Sequence, residues 1–113
     1  MVTPLSASSH IARFTSLAKA EEFIAAGIPV IMSIAWKKGD LTNADIADTN
    51  GHLVVLVGFD AQGNLVVNDS ASPANETVRR TYLRSEFEPL WLKASGGTVY
   101  LIYPQGAAVP PIP

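Results

Sequence analysis

A histidine and an aspartate lie at the outer ends of a predicted β-hairpin. The stretch is TNGHLVVLVGFDAQGNLVVNDS, residues 49–70, in which His52 opens the first apolar strand and Asp69 ends the second. An imidazole exchanges protons near neutral pH, and a carboxylate that bonds one ring nitrogen leaves the other free as a base. Such a pair has the chemistry by which hydrolases activate a nucleophile.

The turn between the two strands decides whether these side chains meet. A four-residue loop over residues 60–63, with its glycine at positive φ, pairs Phe59 with Asn64. In that register Asp69 lies on the same face as His52, one diagonal step away, at about 7–8 Å between backbones. A slip of one residue would turn the aspartate to the other face. On spacing alone, a strand-end histidine and an aspartate that begins an Asx-turn are the more frequent interpretation.

The residues before the hairpin predict a helix and a buried strand. Residues 16–26, SLAKAEEFIAA, are good helix formers with Ser16 as a candidate N-cap. Gly27 and Pro29 then end the helix, because glycine supplies a left-handed cap and proline cannot continue it. Residues 29–36, PVIMSIAW, are β-branched and apolar, which is typical of a buried strand.

The remaining segments complete an α+β pattern. Residues 37–51 form a long polar loop, and residues 84–93 predict a short helix with Ser85 and Glu88 as a capping box. Residues 96–104 predict a turn and the last strand, and shorter extended segments are expected around HIARF and near Val78. This order predicts an antiparallel sheet with the N-terminal helix packed on one face.

Composition limits the classes of function. The chain has 113 residues, of which 48% are hydrophobic and 16% charged, as expected for one small globular unit. The net charge of −2 provides no basic surface for nucleic acid or an anionic membrane. The first ten residues lack the basic region and apolar core of a signal peptide. We therefore expect neither nucleic acid nor a membrane as a partner.

The sequence offers few nucleophiles for a histidine base. The absence of cysteine excludes disulfides and thiolate metal sites. None of the candidate serines stands in a Gly-x-Ser-x-Gly elbow, which disfavours a serine hydrolase. The candidates are Ser6, Ser8, Ser9, Ser33, Ser70, Ser72, Ser85 and Ser95. The second histidine, His10, lies in a polar segment and is expected at the surface.

The long loop and the strand before it contain candidate residues for a metal site and for a binding cleft. Asp40, Asp45 and Asp48 share the long loop, but their spacing does not fit an EF-hand, so solvated carboxylates are expected and no metal is predicted. Trp36 ends a strand at the mouth of this loop and is a candidate wall of a peptide-binding cleft, with a core-edge tryptophan as the alternative. Trp91 is expected in the core.

Four segments together resemble a known family. AAGIPVIMSI, GHLVVLVGFDAQGNLVVNDS, FEPLWL and GGTVYLIYP, within residues 16–104, resemble the C-terminal half of papain-like cysteine peptidases. They are most similar to the bacteriocin-processing, double-glycine peptidase-like family and its secreted bacterial relatives. The resemblance implies that His52 is the general base and Asp69 its orienting carboxylate, that no cofactor is needed, and that the parent protein is secreted or in the cell envelope.

The chain departs from that family where the nucleophile is expected. The family's cysteine and its oxyanion-hole glutamine lie on an N-terminal helical half, whereas this chain has no cysteine, and Gln62 and Gln105 do not match that glutamine. The proline that usually follows the aspartate is Ser70 here. The resemblance therefore implies an isolated His/Asp half that is inactive alone, with residues 1–15 ending a missing upstream half and residues 105–113 forming a Pro-rich tail.

The partners follow from this interpretation. A peptide or protein substrate and the missing half of the same protein are expected, and a homodimer is the alternative cover for the second apolar face of residues 53–59. Two other functions stay open. One is a non-catalytic module that binds peptides or protein partners, and the other is a structural α+β domain in which the pair merely caps strands.

Overall fold

The computed structural model describes residues 7–69 and 78–113 of the chain. Within them the elements are β1 (Ala7–Arg13), α1 (Leu17–Ala25), β2 (Val30–Trp36), β3 (Thr49–Phe59), β4 (Leu65–Asn68), β5 (Arg79–Tyr82), α2 (Arg84–Ser95) and β6 (Thr98–Pro104). The strands form one sheet in the order β1-β6-β2-β3-β4-β5, and every neighbouring pair is antiparallel. The predicted α+β class is confirmed, and the extended segments expected near residues 10–14 and 78 are β1 and β5.

Helix α1 begins and ends where the sequence predicts, but a different side chain satisfies its N-terminus. At its C-terminus Gly27 takes φ 79° and its N–H donates to the carbonyl of Ile24 at 3.0 Å. Ser16 occupies the N-cap position, but its side chain makes no capping hydrogen bond. Instead, the N–H of Leu17 donates to the carboxylate of Glu88 at 2.6 Å. The N-terminus of α1 is thus satisfied by a side chain from α2.

The predicted capping box of helix α2 is wrong. The helix begins at Arg84, with Leu83 as its N-cap, so Ser85 already lies inside the first turn. Ser85 cannot cap from there, because a capping residue needs an extended backbone before the first turn. Glu88 bonds α1 instead of closing a box within its own helix. The tertiary contact between the helices has replaced the local one.

One hydrophobic core lies between the helices and one face of the sheet. Alternate residues of β2, β3, β4 and β6 point into it, and both helices contribute. Its largest fully buried side chains include Trp91, Tyr82, Phe14, Phe23, Phe87 and Leu17. The prediction that Trp91 belongs to the core is confirmed, and α2, which packs against β2, buries this residue and Phe87.

The opposite face of the sheet carries exposed apolar side chains. Leu53 on β3 is 51% exposed, and Ile11 on β1 and Ile102 on β6 are 73% and 54% exposed. Val55 and Ile31, paired across β3 and β2, lie on this same face and are half-buried. The second face of β3, for which the sequence predicts a covering partner, is therefore apolar and partly exposed.

The turn of the central hairpin differs from the prediction by one residue. Phe59 pairs with Leu65, not with Asn64, so the loop has five residues rather than four. The side chain of Asp60 accounts for the extra residue, since its Oδ1 accepts from the N–H of Asn64 at 2.8 Å and of Gln62 at 3.0 Å. This Asx-type loop includes Asn64, which the prediction had placed in the strand.

A β-bulge on β3 restores the predicted register. Gly58 pairs with Val66, whereas Leu56 pairs with Val67, so Val57 is the extra residue between them. Beyond this point the pairing is the one that the four-residue loop predicted. The histidine at the start of β3 and the aspartate after β4 are therefore on one face, as predicted, although the turn was not.

The C-terminal tail follows β6 without regular secondary structure. Residues 105–113 contain neither helix nor strand, as predicted, but Val109 and Ile112 pack against the hydrophobic core. Among the described helices, none is long and apolar enough to cross a membrane.

Candidate active site

His52 stands near the start of β3 with its side chain on the core-facing side of the sheet. It pairs with Ile34 on β2, two residues before the buried Val54. The side chain is only 16% exposed, because the ring of Trp36 packs edge-on against it, with ring centroids 5.6 Å apart. The imidazole therefore lies at the edge of the core with one side open to solvent.

Asp69 follows the last residue of β4 and is almost completely buried, with 2% of its side chain exposed. Its backbone N–H donates to the carbonyl of Val78 at 2.8 Å, which extends the ladder between β4 and β5 by one bond. Its Oδ1 lies 2.6 Å from Nε2 of His52. The structure thus brings together the two residues that the sequence singled out, as the predicted register required.

The bond to Asp69 determines which nitrogen of the imidazole is available. An ionised carboxylate only accepts hydrogen bonds, so Nε2 of His52 is the nitrogen that donates. The neutral ring then has its lone pair on Nδ1. Nδ1 makes no hydrogen bond to any residue in the described ranges 7–69 and 78–113. The arrangement can accept a proton at Nδ1 and stabilise the resulting imidazolium through Asp69.

Tyr82 is a third member of this network, which the sequence analysis missed. Its hydroxyl donates to Oδ2 of Asp69 at 2.5 Å, and its side chain is fully buried. Burial, together with the hydrogen bond and the charge of Asp69, raises the pKa of Tyr82 above its usual value of 10.0. The phenol therefore stays protonated and acts as a donor.

The position of Tyr82 explains why no sequence signal pointed to it. Its backbone pairs with Leu65, four residues before Asp69 on β4, which is about 13 Å along a strand. Only the length of the tyrosine side chain bridges that distance. The alternation in RRTY, residues 79–82, could have indicated a strand, but not a contact so far out of register.

Trp36 lies between the histidine and a surface cavity. Its indole N–H donates to the carbonyl of Ile46 at 3.1 Å, which fixes the ring plane. The cavity has a volume of about 290 Å³ and opens between the end of β2, the start of β3 and the end of α2. Its lining is Ala35, Trp36, Lys37, Asp40, Thr49, Asn50, Leu90, Lys93 and Ala94. Trp36 is thus both a core-edge residue and a wall of this cavity, and its role in a cleft stays a prediction.

The loop between β2 and β3 is attached to β5. Arg80 donates to the carbonyl of Asn43 at 2.6 Å and forms an ion pair with Asp45. Asp40 accepts from the N–H of Lys37 at 3.0 Å within the loop. Two of the three loop aspartates thus serve the structure, and the described residues contain no group of three or more side chains that could hold a metal ion.

The other candidates do not join the pair. His10 is exposed on β1 and stacks on Tyr103, as expected of a surface residue. No serine in the described part of the chain hydrogen-bonds to His52, and Ser95 donates to the carbonyl of Ser33 at 2.7 Å. Ser6, Ser70 and Ser72 lie outside the described residues.

The chain is similar to a known protein family in sequence and to a solved structure in fold. The model of the Peptidase_C39 like family matches residues 3–99. A crystal structure from Bacillus anthracis, described as a C39-like peptidase, is similar in fold, with a TM-score of 0.59 at 18% sequence identity. The similarity covers 82% of this chain and 50% of that one, so the chain spans half the length of that structure. No curated protein matches the chain.

Proposed function

The chain belongs to the Peptidase_C39 like family, and from this premise we propose that it is the His/Asp-bearing half of a papain-like cysteine peptidase. His52 is the general base and Asp69 orients it. The observation that carries the proposal is the 2.6 Å contact between Nε2 of His52 and Oδ1 of the buried aspartate. A partly exposed imidazole held by a buried carboxylate is the base-and-orienter arrangement of nucleophilic hydrolysis.

The nucleophile comes from another part of the complete protein. This chain has no cysteine, and it covers only half of the similar solved structure. In the proposed division, residues 1–15 end an upstream half that carries the thiol, residues 16–104 are the His/Asp half, and residues 105–113 are a tail. The chain alone is then inactive, since a base without a nucleophile cannot form an acyl-enzyme.

The free nitrogen defines the proton transfers in the complete enzyme. Nδ1 of His52 takes the proton of the thiol, and the thiolate attacks the carbonyl carbon of the peptide bond. The imidazolium then gives its proton to the leaving amine as the C–N bond breaks. In the second half-reaction Nδ1 takes a proton from water, and the resulting hydroxide attacks the carbonyl carbon of the acyl-enzyme. The C–S bond then breaks, the acyl group leaves as a carboxylic acid, and the imidazolium returns its proton to the thiolate. Asp69 stabilises both imidazolium states.

The partners are a peptide or protein substrate and the upstream half. The ring of Trp36 contacts the histidine and also lines the cavity, which is a suitable place for substrate side chains. The exposed apolar face around Leu53, Ile11 and Ile102 needs a cover in the complete protein, which the upstream half or a second copy would supply.

A second function is a non-catalytic module that binds peptides or protein partners, and the absence of cysteine favours it. The DNA sequence upstream of the codon for Met1 distinguishes the peptidase half from the non-catalytic module. A reading frame that continues upstream and encodes a helix with glutamine and cysteine supports the enzyme. The complete product should then cleave peptides, and His52→Ala should lower cleavage about 10²–10⁴-fold while His10→Ala leaves it unchanged.

A parent without that cysteine, or a complete product whose cleavage survives His52→Ala, would overturn the proposed enzyme. The pair itself is tested on the present chain by NMR of the ring N–H protons of its two histidines. The Nε2 proton of His52 should be protected from exchange in the wild type and in His10→Ala, and unprotected in Asp69→Ala. Equal exchange in all three would remove the basis of the proposal.

A further inference from the structure

Three side chains, from β3, from β5 and from the residue that follows β4, form a continuous hydrogen-bonded chain. Tyr82 on β5 donates to Oδ2 of Asp69, and Oδ1 of the same carboxylate accepts from Nε2 of His52 on β3. The distances are 2.5 and 2.6 Å, and both the tyrosine and the aspartate are buried. The two oxygens of Asp69 thus have different partners, one on each side.

The hydrogen bond from Tyr82 to Oδ2 matters because a carboxylate rotates easily about the bond that joins it to Cβ. The χ2 torsion of aspartate is broad, with no sharp minima to hold one oxygen toward a neighbour. A donor fixed on Oδ2 removes that freedom and leaves Oδ1 directed at the histidine. Tyr82 is itself held by the core, where its ring stacks on Phe87 with centroids 6.0 Å apart.

We propose that Tyr82 is a positioning residue of the active site, which acts on His52 by fixing the carboxylate of Asp69. The inference rests on the proposed roles of the pair and adds a residue to them. Its raised pKa supports the assignment, because the phenol remains a hydrogen-bond donor at neutral pH. The hydroxyl, rather than the ring alone, is the functional group.

Tyr82 is also a core residue, so loss of stability alone would not distinguish the two roles. Tyr82→Phe keeps the ring and removes the hydroxyl. Its readout is the exchange rate of the Nε2 proton of His52, measured by NMR on the present chain at neutral pH. We expect exchange to become about tenfold faster, the equivalent of one hydrogen bond that no longer orders the carboxylate. Tyr103→Phe, which removes a tyrosine hydroxyl far along β6, is the control and should leave the rate unchanged.

The comparison with Asp69→Ala separates this inference from the proposed function. If Asp69→Ala exposes the Nε2 proton and Tyr82→Phe does not, the pair stands and the role of Tyr82 is overturned. If neither variant changes the rate, both the pair and the inference are overturned. Faster exchange in both variants, with the Tyr103→Phe control unchanged, supports both.

If Tyr82→Phe does not fold, 3-fluorotyrosine at residue 82 provides a perturbation of nearly the same size as the native side chain. The chain has three tyrosines, so Tyr100→Phe with Tyr103→Phe leaves Tyr82 as the single site for biosynthetic incorporation of 3-fluorotyrosine. Fluorine makes the phenol a stronger donor, which draws charge from Asp69 and weakens its bond to the imidazole. The signal of the Nε2 proton of His52 should then move upfield, and an unchanged signal would overturn the inference.

Discussion

The backbones of Phe14 and Gly97 are in direct contact, with no room for a side chain between them. The N–H of Phe14 donates to the carbonyl of Gly97 at 2.9 Å, and a Cβ built on the glycine would lie 1.9 Å from the carbonyl oxygen of Phe14. Gly97 also takes φ 79°. The contact joins the segment after β1 to the start of β6, so the edge strand and the last strand of the sheet depend on a glycine at this position.

Gly97→Ala should therefore be among the most damaging single-methyl substitutions in the chain. Positive φ costs roughly 1–2 kcal/mol in any L-residue, and the clash with a backbone oxygen adds overpacking strain, for a total loss of about 3–5 kcal/mol in the free energy of unfolding. Gly27→Ala is the matched control, since Gly27 has the same φ of 79° but no atom within 4 Å of its Cβ. Urea denaturation of both variants measures the difference, and equal losses would contradict the close contact.

The hairpin shows how much of the site could be predicted from sequence. Counting residues through the predicted turn places His52 and Asp69 on the same face of the sheet. This result is correct only because two deviations from the predicted pairing, each of one residue, cancel. The side chain of Asp60 lengthens the loop by one residue, and the bulge at Val57 takes that residue back. Nothing in an unbroken run of valines and leucines marks the bulged residue, because both faces of β3 are apolar.

Long-range polar contacts were beyond prediction for a different reason. Glu88 looked like the partner of Ser85 within one helix, but it accepts from the N–H of Leu17 on another. Tyr82 belongs to no motif that the sequence offered, yet it reaches Asp69 across four residues of strand. In each case the partner is chosen by tertiary packing, which the local sequence does not indicate.

Asp69→Asn should destabilise the chain although the two side chains have nearly the same size. The carboxylate accepts on both oxygens, from His52 and from Tyr82, whereas an amide presents an N–H₂ group to one of the two donors. The buried donor left without an acceptor costs about 1–3 kcal/mol.

Asp60→Asn provides the comparison for that substitution. Its Oδ1 accepts from two backbone N–H groups, which an amide oxygen can also do, and its Oδ2 accepts a long bond of 3.4 Å from the side chain of Asn64, so we expect a change within about 0.5 kcal/mol. Thermal or urea unfolding of the two variants gives both values. Similar losses at residues 60 and 69 would argue against the two-sided bonding of the buried carboxylate.

Arg80→Met should release the loop that supports Trp36. Arg80 bonds the carbonyl of Asn43 and pairs with Asp45, and the nearby Ile46 carbonyl holds the indole N–H. Without the guanidinium, amide exchange of residues 43–46 should accelerate and the fluorescence of Trp36 should shift to the red as water reaches the ring.

The neighbouring arginine makes a good control for the loop. Arg79 is exposed on β5 and bonds the side chain of Asn68, and among the described residues it has no hydrogen bond to the loop. Arg79→Met should therefore leave the amide exchange of residues 43–46 and the emission of Trp36 as in the wild type. Equal acceleration in both variants would mean that general destabilisation, and not the Arg80 contacts, controls the loop.

Alkaline pH should weaken the fold through Tyr82. Its pKa is raised in the folded state by burial and by Asp69, so above pH 10 the unfolded chain loses the phenolic proton while the folded chain keeps it. The unfolded state then binds fewer protons, and the free energy of unfolding falls as pH rises, with a limiting slope of about 1.4 kcal/mol per pH unit for one group.

The stabilisation is fully present below pH 10, so the difference in stability between wild type and Tyr82→Phe should be constant there and shrink above it. Urea denaturation from about pH 8 to about pH 11 measures this difference, with Tyr103→Phe as the variant that retains the wild-type slope. A difference that stays constant across the whole range would mean that the hydroxyl of Tyr82 is not held as a buried donor.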